Sequence, residues 1–140
     1  TGYKQVKPHE YDQILNWSKN ALSKLRRVLM EDSQLSRLES IFKKLINDHP
    51  YNIDIFIQLA KAFQDEGKYD QAVSIYKQAL EIDKNNTTAL NNLGDCEYRR
   101  GNIDKARQIW KSSLKIDPDQ LILRNRLRQI NRYEYKENSS

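Results

Sequence analysis

Little in this chain of 140 residues can be cross-linked or metallated. One cysteine, Cys96, rules out an intrachain disulfide, and one cysteine with two histidines rules out a Cys/His zinc cluster. Four glycines and three prolines leave too little punctuation for a protein of many short strands. No apolar run approaches the ~20 residues needed to span a bilayer. No glycine-rich loop is present to cradle a phosphate, because Gly67 and Gly101 stand alone. His9 and His49 have no Ser or Cys at the spacing of a catalytic pair, which removes the usual support for nucleophilic catalysis. Asp95 and Glu97 flank Cys96 and disfavour its thiolate, so structural burial or half-burial is expected for it. The chain reads as non-enzymatic, with no cofactor and no metal.

Charge is abundant: 24 Lys and Arg stand against 19 Asp and Glu, a formal +5, and 31% of residues are charged. Mean hydropathy is −0.89. Such polarity would suit disorder if the apolar residues were scattered. They recur at helical spacing instead, which favours a solvated helical assembly. The length suits one domain that buries roughly two thirds of its unfolded surface.

The strongest signal is internal repetition at an offset of 34 residues, seen when 53–86 is placed above 87–120. Phe56 then falls on Leu90, Leu59 on Leu93 and Ala60 on Gly94. Gly67 falls on Gly101, Asp70 on Asp104, Ala72 on Ala106 and Tyr76 on Trp110. Large residues meet large ones and small meet small, which is a packing register. Each unit reads as two helices. The first carries Phe56, Leu59, Ala60 and Phe63 on one stripe, and the second carries Ala72, Ile75, Tyr76, Ala79 and Leu80. Gly67 and Gly101 suit the left-handed backbone that ends a helix. Asp70 and Asp104 then fall at the N-cap or first turn of the next helix, where a carboxylate complements exposed N–H groups.

This pattern resembles the tetratricopeptide repeat family. Phe56, Leu59, Ala60, Phe63, Gly67, Tyr69, Ala72, Tyr76 and Ala79 match the family motif in the first clear unit, with Lys84 in place of its final Pro. The second unit matches with Leu90, Leu93, Gly94, Gly101, Ile103, Ala106, Trp110, Ser113 and Pro118, while Glu97 stands where an aromatic is expected. The resemblance implies an all-α, right-handed superhelix (an α-solenoid) of stacked antiparallel helix pairs with a C-terminal capping helix.

One period earlier, 19–52 reads as a degenerate repeat. Leu22, Leu25 and Leu29 fit its first helix, and Leu38, Phe42, Leu45 and Pro50 its second. Arg26 and Leu38 replace small residues there, so no close crossing is expected. The first helix is expected to extend backward through Ile14 and Trp17. One period later, Leu123, Leu127 and Ile130 form a stripe on a closing helix over 121–136, kept polar outside by Arg124, Arg126, Arg128 and Arg132. The organisation expected is a single domain over 1–140: an extension and helix start (1–18), three repeat units (19–52, 53–86, 87–120), the closing helix and a frayed tail (137–140).

The resemblance further implies a binding scaffold. The first helix of each pair lines a concave groove that holds an extended peptide or a helix of a partner protein and so supports complex assembly. Helical geometry assigns Arg27, Asp54, Ile57, Lys61, Gln64, Thr88, Asn91, Asp95, Tyr98, Arg99, Asn125 and Gln129 to that groove, with Asn92 and Arg126 beside them. Some family members clamp a C-terminal carboxylate of heat-shock chaperones with Lys and Asn on one first helix, Asn on the next, and Lys and Arg on the third. Those positions hold Ser23, Arg27, Gln58, Thr88 and Asn92 in one register and Ile57, Lys61, Asn92, Ile122 and Arg126 in the other. Only Asn92 and Arg126 match, so the clamp is not expected.

Net charge runs +3 over 1–52, −2 over 53–86, +1 over 87–120 and +3 over 121–140. Tyr133 and Tyr135 among Arg132 and Lys136 raise single-stranded nucleic acid as a partner, but so small a net charge disfavours it. A protein or peptide partner is expected. Self-association through an exposed Trp17 and Leu38, or service as a regulatory or targeting module of a larger protein, are the alternatives. The chain starts at Thr1 with no initiator Met and no apolar leader, which suggests a mature form or an excised domain. The sequence leaves the compartment open: a soluble domain is expected, with the cytoplasm favoured and a periplasmic or membrane-tethered place the alternative if an upstream segment was removed.

Overall fold

The computed structural model describes residues 18–31 and 34–138. Within them lie seven helices and no strand: α1 (Lys19–Glu31), α2 (Leu35–Asp48), α3 (Ile53–Asp65), α4 (Tyr69–Ile82), α5 (Thr87–Arg99), α6 (Ile103–Ile116) and α7 (Leu121–Asn138). The fold is an all-α helical-repeat superhelix. Both helix boundaries of α3 and of α4 recur 34 residues later in α5 and α6.

Local chemistry explains the common boundaries. Asn52 starts α3 by accepting from the N–H of Asp54 at 3.1 Å, and Asn86 starts α5 by accepting from that of Ala89 at 3.0 Å. Gly67 (φ 73°) and Gly101 (φ 89°) close these helices in the left-handed region. The N–H groups of Lys68 and Asn102 donate back to the carbonyls of Phe63 and Glu97, both at 2.9 Å, which completes a Schellman turn. Asp70 and Asp104 sit in the first turns of α4 and α6 and do not cap them.

Small residues set the spacing of the central pairs. Ala60, Ala72, Ala79 and Ala89 are fully buried where α3, α4 and α5 meet. Tyr76 and Trp110 fill equivalent places in successive units, 0% and 1% exposed. Gly94 touches Trp110 so closely that a Cβ built there would lie 2.2 Å from the indole nitrogen. Ala60 stands opposite the smaller Tyr76 in the equivalent place, so residue size is balanced within each unit. Glu97 lies where the first unit has Phe63 and is 0% exposed. Its carboxylate accepts from Arg100 at 3.0 Å and Asn102 at 2.7 Å, so the polar replacement is satisfied.

The flanks differ. α1 and α2 touch each other far less than α3 and α4 do, and both lean on α3 instead. The cause is visible in the sequence: Arg26 and Leu38 are too large for a close crossing. Leu38 is 0% exposed. This corrects the expectation that it would be available for self-association, because the leaning of α2 on α3 covers it. Ser18 caps α1, accepting from Ala21 at 3.3 Å, so this helix starts at Lys19. Ile14 and Trp17, expected to extend it, lie outside the described residues. α7 docks through Leu123 and Leu127 onto a small cluster with Trp110. It continues to Asn138, past the frayed end expected at 137.

Candidate functional site

The first helices α1, α3, α5 and α7 present the face on which the sequence places the candidate residues. Two ion pairs stitch that face. At one end Arg26 of α1 donates to Gln58 at 2.9 Å and to Asp65 at 2.7 Å, both on α3. At the other end Arg126 of α7 pairs with Asp95 of α5 and lies over the Trp110 ring, 5.3 Å from its centroid. Tyr98 adds a tilted aromatic contact with Trp110 at 5.9 Å and stays 43% exposed. Asp95, Tyr98 and Arg126 are thus brought together around a buried indole.

Other candidates turn out to serve the fold. Ile57 is 2% exposed within the core cluster that holds Leu22, with Leu25 and Leu29 packed against it. At that exposure it does not line an open groove. Gln64 is half-buried, and its carbonyl oxygen accepts from the Tyr76 hydroxyl at 2.7 Å. Asn91 is half-buried too. Its amide donates to Gln120 at 2.6 Å, and its backbone carbonyl accepts from the Trp110 indole at 3.2 Å. Gln120 in turn donates to Ser113, so this chain of bonds ties α5 to the turn before α7. Asn92 donates to the carbonyl of Thr88 at 3.0 Å. Asn92 and Arg126, the two residues that matched the carboxylate clamp, are therefore both engaged within the protein.

Asp54, Lys61 and Thr88 are half-buried on this face, and Arg27, Arg99, Asn125 and Gln129 are exposed. Arg27 donates to Ser23 of its own helix at 3.2 Å. Burial pushes the Lys61 ammonium below its ordinary pKa, and the positive charges of Arg26 and Lys19 add to the effect. Burial raises the Asp95 carboxyl above the usual carboxylate range, while Arg126 and Arg99 pull it back. Cys96 is fully buried, and burial followed by the charges of Asp95 and Glu97 pushes its thiol up to about 12. A thiolate nucleophile is absent there at neutral pH.

Arg26, Gln58, Trp110 and Gln120 belong to this face or its support and were not among the sequence candidates. Gln58 carried a usable signal, being a polar residue inside the apolar run from Ile55 to Ala60. Trp110 lies on a second helix, where only packing reveals its contact with Arg126.

The sequence matches no curated protein. A family model described as tetratricopeptide repeat matches residues 63–129. Among solved structures, the chain resembles the first TPR domain of Spaghetti (RPAP3) bound to the HSP90 peptide SRMEEVD, at 18% identity and TM-score 0.71, over 85% of this chain and 97% of that one. It also resembles the first TPR domain of the human RPAP3 protein, at 20% identity and TM-score 0.71, over 87% and 97%. The Yersinia enterocolitica type III secretion translocator chaperone SycD is similar at 14% identity and TM-score 0.73, over 94% and 98%.

Proposed function

Since the chain is a tetratricopeptide repeat protein, we propose that it is a non-enzymatic interaction module that holds a segment of a partner protein along its first-helix face. The observation that carries this reading is the cluster around Trp110. Tyr98 remains 43% exposed beside a buried indole whose other contact, Arg126, arrives from the closing helix. An amphipathic ring with a hydroxyl tip, set next to half-buried polar groups, is suited to hold a peptide backbone and one apolar side chain. A solved relative of the same fold was captured with a peptide, which supports this reading.

The test is selection of binders from a random peptide library, followed by mapping of amide shifts. Shifts are expected on α3, α5 and α7, on the side of Lys61 and Tyr98. The double variant Lys61→Ala/Tyr98→Ala is expected to weaken binding by about tenfold or more with helicity unchanged. Unchanged affinity would move the site elsewhere. Asn91 is left intact because its amide supports the turn before α7. No helix among the described residues is long and apolar enough to cross a membrane.

One observation favours self-association as a second reading. Leu121 and Ile122 at the start of α7 are 64% and 80% exposed, and Tyr133 is 72% exposed. Sedimentation that stays monomeric across concentration would dismiss it.

A further inference from the structure

α7 closes the array with one side committed and one side open. Leu123 and Leu127 cluster with Trp110, and Arg126 turns inward to Asp95. Along the open side Arg124, Arg128, Arg132 and Lys136 recur every fourth residue, all of them exposed. Residues four apart lie one above the other on a helix, so these form a single row about 18 Å long with a cation every ~6 Å. No hydrogen bond or ion pair among the described residues engages any of the four. No Asp or Glu stands three or four residues from any of them either. Each neighbouring pair in the row therefore repels, and no helical neighbour offsets the repulsion. Solvation of a closing helix does not require this, because alternating charges would keep it as polar and would stabilise it.

The adjoining row has a different chemistry. Asn125, Gln129 and Tyr133, again four apart, are exposed beside the cations, Tyr133 at 72%. Amides donate to and accept from base edges, and an open aromatic ring stacks on a base.

We propose that the open side of α7 binds a single-stranded nucleic acid, with phosphates along the cation row and a base stacked on Tyr133. Successive phosphates of an extended strand are spaced much as these cations are. The small net charge of the whole chain averages this helix with the acidic unit 53–86, whereas 121–140 alone carries +3. An anionic membrane fits less well, because the apolar side of α7 is spent on the Trp110 cluster and cannot insert. An acidic helix of a partner protein would pair with the cations and leave the Tyr133 ring unused. Asn125 and Gln129 border the first-helix face, but the site takes no residue of α3 or α5.

Fluorescence anisotropy with a labelled thymidine oligomer of about twelve nucleotides tests this. Affinity is expected to fall with salt at a log–log slope of about −3, the value for four phosphate contacts. Arg124→Gln/Arg128→Gln/Arg132→Gln is expected to weaken binding at least about tenfold and to flatten the slope to about −1, with helicity retained because repulsion is relieved. Tyr133→Leu is expected to weaken binding about fivefold or more, and Tyr133→Trp to keep it. The Lys61→Ala/Tyr98→Ala protein is expected to bind the oligomer as the parent does. Absence of binding, or undiminished affinity in the folded triple variant, overturns the proposal. A glutamate peptide bound as tightly as the oligomer makes the row a dock for acidic protein, and phosphatidylserine vesicles bound as tightly make it a membrane contact; either overturns it. Duplex DNA bound as tightly as the single strand, or no effect of Tyr133→Leu, overturns the stacked single strand.

Discussion

Gly94 and Trp110 form a matched pair, as Ala60 and Tyr76 do one unit earlier. The larger ring needs the smaller neighbour, because a Cβ at position 94 would lie 2.2 Å from the indole nitrogen. Gly94→Ala is expected to cost about 1–3 kcal/mol by overpacking, measured by urea unfolding. Gly94→Ala/Trp110→Tyr rebuilds the arrangement of the preceding unit, so its cost should fall clearly short of the sum of the single changes. Glu97 tests a second kind of matching. Its buried carboxylate holds Arg100, which also reaches Asp70 at 2.9 Å. Glu97→Ala leaves Arg100 and Asn102 short of an acceptor and opens a cavity, at about 3 kcal/mol. Glu97→Phe restores the ring found at Phe63 and is expected to stay within about 1 kcal/mol of the parent, since a buried ion pair and a packed apolar side chain are often equivalent. A large loss with Phe would show that the carboxylate network itself fixes the turn at Gly101.

Each helix in this array is held by its neighbours, and α7 has the fewest. Leu123 and Leu127 bury one side, at 6% and 7% exposure, and the Arg126 contacts with Asp95 and Trp110 fasten the middle. An ion pair this open contributes little, and the cation–π contact adds a comparable amount. Arg126→Ala should therefore lower global stability by only about 1 kcal/mol. It should nevertheless speed hydrogen exchange along α7 while leaving α3 and α4 unchanged. Equal acceleration across all helices would mean that α7 is part of one indivisible unit. α1 is an element of another kind: Arg26, standing where a small residue would allow a tight hairpin with α2, reaches across to α3 instead.

Across the whole molecule, stability follows from nearest-neighbour stacking rather than from a single central core. The tightest contacts join α3 to α4, α4 to α5 and α5 to α6, and the alanines at those crossings allow the backbones to approach. The α1–α2 hairpin and α7 sit at looser ends. Native-state hydrogen exchange is expected to rank α3, α4 and α5 slowest, with α1, α2 and α7 opening at lower free energy. Uniform protection would contradict a linear array. The ion pairs of Arg26 and Arg126 link each end helix to the face where Lys61 and Tyr98 lie.

The period of 34, the helix faces, and the turns at Gly67 and Gly101 were all legible from residue order, since they depend on side-chain size and backbone freedom within one unit. The structural role of Cys96 was legible from a different signal, the carboxylates of Asp95 and Glu97 beside it. Which polar groups stay open was not. Ile57 and Lys61 are one helical turn apart on the same stripe of α3, yet the first is 2% exposed and the second only half-buried. Gln64, Asn91 and Asn92 have the composition of a binding face, but Tyr76, Gln120 and Thr88 engage them. Helix periodicity specifies the direction a side chain leaves its own axis. What it meets there depends on how the next helix leans, and in the first pair that lean is set by Arg26 and Leu38 failing to fit a close crossing.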